Sequence, residues 1–216
     1  MIKVLLADDH SLVRTGVKRV IEEAPDMRVV AAASDGMEVI RVYGDHLPDV
    51  VVMDISMPGM DGLETAKQLV ALYPQARILI LTRHQEDHYA VRTLKAGCLG
   101  YLTKGTSTQQ LHDAIRSVSQ GHTFLTDEGK DIVDLQLLSS RSGTDQVESL
   151  SDRELQVLMM LAQGYKIKEI AAELSLSAKT IETYRANVLR KLSLRNNVDI
   201  CRFAIENGLV DGLTPL

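Results

Sequence analysis

Residues 50–54 read Val50-Val51-Val52-Met53-Asp54, and Ile55-Ser56-Met57-Pro58-Gly59-Met60-Asp61-Gly62 follow at once. An apolar, β-branched run without polar alternation fits a strand covered on both faces, as in the interior of a parallel sheet. Pro58, Gly59 and Gly62 stop that strand and turn the chain. Asp54 therefore falls at the C-terminal end of an interior strand, the edge where open α/β sheets carry their sites. Three readings of it are open: a nucleophile, a metal ligand, or a carboxylate buried at a cost for no purpose.

Outward from this strand the pattern repeats. Ile2–Ala7, Val29–Ala33, Ile78–Leu81 and the weaker Leu99–Leu102 read as further strands. Helical spacing fills the intervals, over about 11–24, 37–43, 63–72, 87–96 and 108–119. Strand–helix alternation five times over predicts an α/β, doubly wound, five-stranded parallel sheet with helices on both faces. In such a sheet the C-terminal strand ends gather on one edge. Asp8 and Asp9 follow the first strand, Asp54 the third, Thr82 ends the fourth and Lys104 follows the fifth.

Asp8, Asp9 and Asp54 side by side would repel one another and stay ionised only around a hard cation. Mg²⁺ with oxygen ligands and retained waters suits such a set. The cation and the Lys104 ammonium would together neutralise an incoming phosphoryl group, and Asp54 would be the nucleophile that takes it. The Thr82 hydroxyl can bond a new phosphate oxygen, and Tyr101 is placed to change rotamer as Thr82 moves. An Asp-Asp pair alone is more often a turn or helix cap, and a single Lys is usually on the surface. Four such positions, each at a strand end and in order, carry the reading.

Beyond about residue 122 the pattern loosens. Ile132, Val133, Leu135, Leu137 and Leu138 suit a short helix, and Ser139-Ser140-Arg141-Ser142-Gly143-Thr144-Asp145 reads as a flexible linker. From Leu150 the chain is all helical. Ser151-Asp152-Arg153-Glu154 fits a capping box, and helices follow over about 151–162, 167–174, 178–192 and 198–206. Two short helices around Ser175-Leu176-Ser177, the second with a basic face, fit a helix-turn-helix over about 167–186. From Ala178 to Arg195 there are five basic residues and one acid, Glu182. With Ile181, Val188, Leu189 and Leu192 on the inner face, Glu182, Thr183, Arg185, Ala186 and Arg190 point outward, as a helix in a major groove requires.

Bulk properties agree with two modules. The 216 residues carry a net charge of −5, but the span 150–216 holds nine basic against eight acidic residues and nets +1, so the rest of the chain nets −6. No apolar run approaches the roughly 20 residues that span a bilayer, and Asp8-Asp9 come too early for a signal peptide. Cys98 and Cys201 are the only cysteines, which fits a cytoplasmic protein rather than a disulfide framework. The six histidines are scattered, and none marks a metal site by spacing.

The residues from about Lys3 to Gly121 resemble the receiver domain of two-component response regulators, a flavodoxin-like (CheY-like) fold. The strings Leu150-Ser151-Asp152-Arg153-Glu154, Lys168-Glu169-Ile170-Ala171, Ser177-Ala178-Lys179-Thr180-Ile181 and Arg190-Lys191-Leu192 resemble the C-terminal domain of NarL/FixJ (LuxR-type) regulators, over about Val147 to Val210. The resemblance implies a receiver over 1–122, a linker over 123–146 and a DNA-binding domain over 147–212. It further implies phosphorylation of Asp54 by a sensor histidine kinase. Mg²⁺ would be held by Asp9, Asp54 and the Ser56 carbonyl, with Asp8 assisting through water. Thr82 and Tyr101 match the switch pair and Lys104 the phosphate-binding lysine. Glu182, Thr183 and Ala186 would face base edges, and Lys179, Thr180, Tyr184, Arg185 and Arg190 phosphates. A homodimer on double-stranded DNA, formed on phosphorylation and controlling transcription, is the expected outcome. The alternatives are a constitutive DNA-binding regulator whose receiver is never phosphorylated, and an aspartyl-phosphate phosphatase. Two positions depart from the usual receiver: Arg83 follows the switch threonine where many have a small residue, and Gly105 stands where many have proline.

Overall fold

The β-branched runs become strands in the computed structural model, which describes residues 1–83, 87–126, 146–147 and 149–210. The chain divides into two compact units, Met1–Leu137 and Leu138–Leu216. In the first, β1 (Ile2–Ala7), α1 (Ser11–Glu22), β2 (Met27–Ala33), α2 (Gly36–His46), β3 (Val50–Met53), α3 (Gly62–Leu72), β4 (Ile78–Thr82), α4 (Asp87–Lys95), β5 (Gly100–Thr103), α5 (Thr108–Ser119) and β6 (Phe124–Leu125) follow in order. The sheet runs β2-β1-β3-β4-β5-β6, with every neighbouring pair parallel.

The sheet has six strands, not five. Phe124–Leu125, within the stretch expected to be linker, pairs in parallel with Gly100 and Tyr101. Two residues are too few to show a periodicity of their own, so only the partner strand reveals them. The inner strands are apolar throughout because both faces are covered: every residue of β3 and of β4 is buried. Val4, Leu6, Val50, Val52 and Leu79 on one face meet Ile21, Leu111, Ala114, Ile115 and Val118 from α1 and α5.

The helices start where the sequence offers a cap. Asp35 and Asp61 accept from the backbone N–H of Glu38 and Glu64 at the starts of α2 and α3. Ser107 and Gln110 form a capping box on α5. A fork of two hydrogen bonds, from Arg116 Nε and Nη2 to the two oxygens of Asp26, ties α5 to the turn before β2. That bonding holds the Asp26 carboxyl below its ordinary pKa of 3.8.

The second unit holds α6 (Asp152–Ala162), α7 (Ile167–Glu173), α8 (Ala178–Lys191) and α9 (Asn197–Glu206). The capping box at Ser151 and Glu154 forms as expected. Its core is Leu155, Leu158, Ile170, Ile181, Val188 and Ile200, all without exposed surface. Glu154 also accepts from Lys191 Nζ at 2.6 Å, fastening the start of α6 to the end of α8. Burial alone would push the Glu154 carboxyl up, but the bonds from Lys191 and Ser151 outweigh it and hold the group below its ordinary 4.5. The short helix expected over 132–138, the polar stretch 139–145 and residues 211–212 lie outside the described residues. No helix among the described residues is long and apolar enough to cross a membrane.

Candidate functional site

The C-terminal edge of the sheet is built by register. Ala7 pairs with Met53, Met53 with Ile80, and Thr82 with Thr103. The residues just past these pairs are Asp8, Asp54, Arg83 and Lys104, so strands distant in sequence deliver them to one place. Backbone bonds fix the ends: Asp54 N–H donates to Ala7 O at 2.9 Å, and Lys104 N–H to Thr82 O at 2.6 Å.

Lys104 Nζ lies 2.6 Å from both Asp8 Oδ2 and Asp54 Oδ2. The three side chains are 11%, 3% and 1% exposed, so the ammonium and two carboxylates form a nearly dry cluster. One cation against two anions leaves the cluster net negative. Asp54 Oδ1 is buried with no hydrogen-bond partner among the described residues. A buried carboxylate oxygen left so is expensive unless something positive reaches it. Ligand atoms of Asp8, Asp9 and His10 lie within 4.8 Å of one another, and Asp54 falls outside that group; the carboxylates are hard oxygen donors of the kind that suits a divalent cation such as magnesium.

The loop after β3 is shaped around Asp54. Met57 N–H and Gly62 N–H both donate to Ile55 O, at 3.0 and 2.9 Å. A side chain at Gly62 would place its Cβ 2.2 Å from the Asp54 carbonyl oxygen, so only glycine lets the start of α3 come this close. Ser56, within this loop, is half-buried. Thr82 is fully buried and Tyr101 is 7% exposed. Arg83 is exposed, and no described peptide is cis, Lys104–Gly105 included.

Two contributors were not visible as such in the sequence. Gly62 read only as a turn former. His10 read as one of several scattered histidines, yet its Nδ1 lies 2.6 Å from Asp9 Oδ1 and its backbone N–H donates to Asp8 Oδ1 at 2.8 Å. Its place directly after Asp8-Asp9 was the available signal. Arg14 adds a further tie, donating to the carbonyl of Asp8.

In the second unit the turn between α7 and α8 passes Ser175 at φ 53°, and Ser177 caps α8 by accepting from Thr180 N–H. Ile181 and Val188 are buried, while Lys179, Glu182, Thr183, Ala186 and Arg190 are exposed along the opposite side. Thr180, Tyr184 and Arg185 are half-buried. Four side chains already have local partners. Thr180 Oγ1 bonds Ser177 Oγ at 2.8 Å, Thr183 Oγ1 donates to Lys179 O at 3.0 Å, Arg185 Nε donates to Asn197 Oδ1 at 2.7 Å, and Arg190 Nη2 donates to Asn187 Oδ1 at 3.2 Å.

Residues 4–116 match the response regulator receiver domain, and residues 148–204 match the bacterial regulatory proteins of the luxR family. The chain belongs to the two-component response regulators of the NarL/FixJ, LuxR-type family. It is 36% identical to response regulator GacA of Pseudomonas aeruginosa, over 98% of this chain and 99% of that one. It is likewise 36% identical to response regulator UvrY of Escherichia coli, over 99% and 98% of the two chains. Among solved structures it resembles that of the RcsB–DNA complex, with 25% identity, a TM-score of 0.58, and 94% and 96% of the two chains covered. The chain thus joins a receiver domain to a LuxR-type DNA-binding domain, the composition of a regulator of transcription and not of a classical enzyme.

Proposed function

We propose that Asp54 accepts a phosphoryl group from a sensor histidine kinase, and that this controls dimerisation and DNA binding by the helix-turn-helix. The observation that carries the reading is the state of the Asp54 carboxylate: Oδ2 is held 2.6 Å from Lys104 Nζ, while Oδ1 is buried without a partner among the described residues. An Asp54 oxygen forms the bond to phosphorus as the bond from phosphorus to the kinase histidine nitrogen breaks, the electron pair staying on that nitrogen. Asp9, Asp54 and the Ser56 carbonyl would hold Mg²⁺, with Asp8 acting through water. When bound there, the cation would supply neutralisation of charge on the transferring group. Lys104 is placed to follow a phosphate oxygen, and the Thr82 hydroxyl to bond another, with Tyr101 as the packing partner that registers the change.

The reading divides the chain into a receiver over 1–122, a linker over 123–146 and a DNA-binding domain over 147–212, and places it in the cytoplasm. On α8, Glu182, Thr183 and Ala186 face base edges of double-stranded DNA. Lys179, Thr180, Tyr184, Arg185 and Arg190 face phosphates. Glu182 accepts a hydrogen bond from cytosine and disfavours close phosphates, so it sets sequence preference rather than affinity. The RcsB–DNA complex, a relative with DNA bound, supports the DNA half of the reading. Acetyl phosphate with Mg²⁺ should label wild-type protein on one residue, and Asp54→Asn should abolish the label. Persistent labelling of that variant would sink the assignment.

A further inference from the structure

Arg185 is held by a residue that belongs to another helix and carries no charge. The turn after α8 passes Ser193 at φ 56°, and Leu194 N–H donates back to Leu189 O at 2.8 Å, which closes α8 and reverses the chain. Asn196 caps α9 by accepting from Asp199 N–H, so the next residue, Asn197, opens that helix. Asn197 Oδ1 accepts from Arg185 Nε at 2.7 Å. Asn197 is exposed and Arg185 half-buried. Among the described residues Arg185 makes no other side-chain hydrogen bond, which leaves its Nη groups uncommitted. The other arginine of α8, Arg190, is also held by an amide, that of Asn187. By contrast Arg41, Arg116 and Arg202 each meet an acid, in Glu38, Asp26 and Asp199.

For stability alone an acid at position 197 would be the better anchor. A carboxylate bonds a guanidinium more strongly than an amide does, and negative charge suits the first turn of a helix. Asparagine forgoes both gains but keeps the positive charge, because an amide oxygen fixes the guanidinium plane without neutralising it. Arginine presents its N–H donors in a rigid fork, so holding Nε also fixes where the Nη pair can reach. A fork so fixed suits two oxygens of one phosphate. An arginine left unheld would have to be ordered on binding, at a cost in affinity. We infer that Asn197 is a positioning residue for DNA binding, which keeps the Arg185 guanidinium oriented and fully charged for a backbone phosphate. The inference rests on the DNA half of the function proposed above, and it gives α9 a part in an interface otherwise assigned to α8.

The test is fluorescence anisotropy of the full-length protein with a labelled DNA duplex of mixed sequence at low salt, since phosphate contacts do not depend on sequence. The proteins are wild type, Asn197→Ala, Asn197→Asp, Arg185→Ala, and Asn197→Ala combined with Arg185→Ala, each also melted by calorimetry. Asn197→Ala should weaken binding about two- to tenfold, the worth of ordering one long side chain. It should add no further loss to Arg185→Ala. Asn197→Asp should weaken binding more than Asn197→Ala does, by an excess that shrinks as salt rises. The second unit of Asn197→Asp should nevertheless melt no lower than that of wild type. Binding and stability then move apart, which a merely structural role for Asn197 does not explain. Duplex binding by wild type that Asn197→Ala leaves unchanged would overturn the inference alone. An equal loss from Asn197→Ala with and without Arg185 would also overturn it, because the amide would then act on its own. So would an Asn197→Asp protein that loses binding only in step with a lower melting temperature. A wild-type protein that binds no duplex would defeat the DNA reading and the inference with it.

Discussion

Replacing Lys104 with methionine keeps an unbranched stem and removes the ammonium. Nζ is 2.6 Å from Asp8 Oδ2 and from Asp54 Oδ2, so those oxygens are separated by at most twice that distance. Two carboxylates about 5 Å apart repel by about 3 kcal/mol at an effective dielectric of about 20. Removing one partner from a buried ion pair costs about 3–5 kcal/mol by measurement on other proteins. All three groups are nearly out of solvent, so screening relieves little of this. Lys104→Met should therefore lower the first unit's stability by about 3 kcal/mol in EDTA, roughly 10 °C or more in melting temperature. Excess Mg²⁺ should recover a large part, since a divalent cation takes over the neutralisation. Adding Asp8→Asn to Lys104→Met should also raise stability above that of the single variant, because it removes one of the two opposed charges. The assay is scanning calorimetry of the three proteins with EDTA and with Mg²⁺. A Lys104→Met protein that melts with the wild type in EDTA, or gains nothing from Asp8→Asn, would refute the reasoning.

Gly62→Ala drives a methyl into the Asp54 carbonyl, where ideal geometry leaves 2.2 Å; a loss of about 1–3 kcal/mol is expected, and acetyl phosphate labelling should slow with it. Glu154 titrates below its ordinary 4.5, so its contribution is whole above that pH and is lost as pH falls through the folded-state value. Melting of the second unit should accordingly depend less on pH below about 4.5 in Glu154→Gln than in wild type. Burial pushes the Cys98 thiol up to about 12. Iodoacetamide should therefore leave Cys98 unmodified in the native protein at mild alkaline pH and label it once the protein is unfolded, as peptide mass mapping would show. Arg190→Ala should weaken DNA binding for all sequences alike and reduce the slope of log affinity against log salt by about 1. A change in sequence preference instead would move Arg190 from phosphate to base contact.

The sequence makes the sheet readable because its inner strands are covered on both sides. Val50–Met53 and Ile78–Leu81 have no solvent-facing position at which a polar residue could interrupt the run. The places of Asp8 and Asp54 were legible for the same reason, as the first polar groups past apolar strands, with Thr82 the last residue of β4 and Lys104 the first after β5. β6 was not legible, since two residues of strand have neither length nor alternation, and their identity as strand lies in Gly100 and Tyr101. The contacts of His10 were not legible, because residues adjacent in sequence carry no spacing signal, whereas here a backbone turn brings its Nδ1 to Asp9 Oδ1. In the helical unit, amphipathic spacing told the inner face of α8 from the outer. It said nothing of Arg185 being held by Asn197, which belongs to the next helix.

The short strand β6 has a consequence for how the molecule behaves in a crowd of its own copies. Without it β5 would be the last strand, with a row of unpaired amide and carbonyl groups open to any passing extended chain. Phe124 N–H donates to Leu99 O at 2.8 Å, and the pairing continues through Tyr101 and Leu125. Half of β5 is thereby covered, and β6 itself offers only two residues, a short edge that templates a stacked sheet poorly. Shortening the chain ahead of Phe124 should therefore make the first unit prone to strand-mediated aggregation, even though every group around Asp54 would still be present.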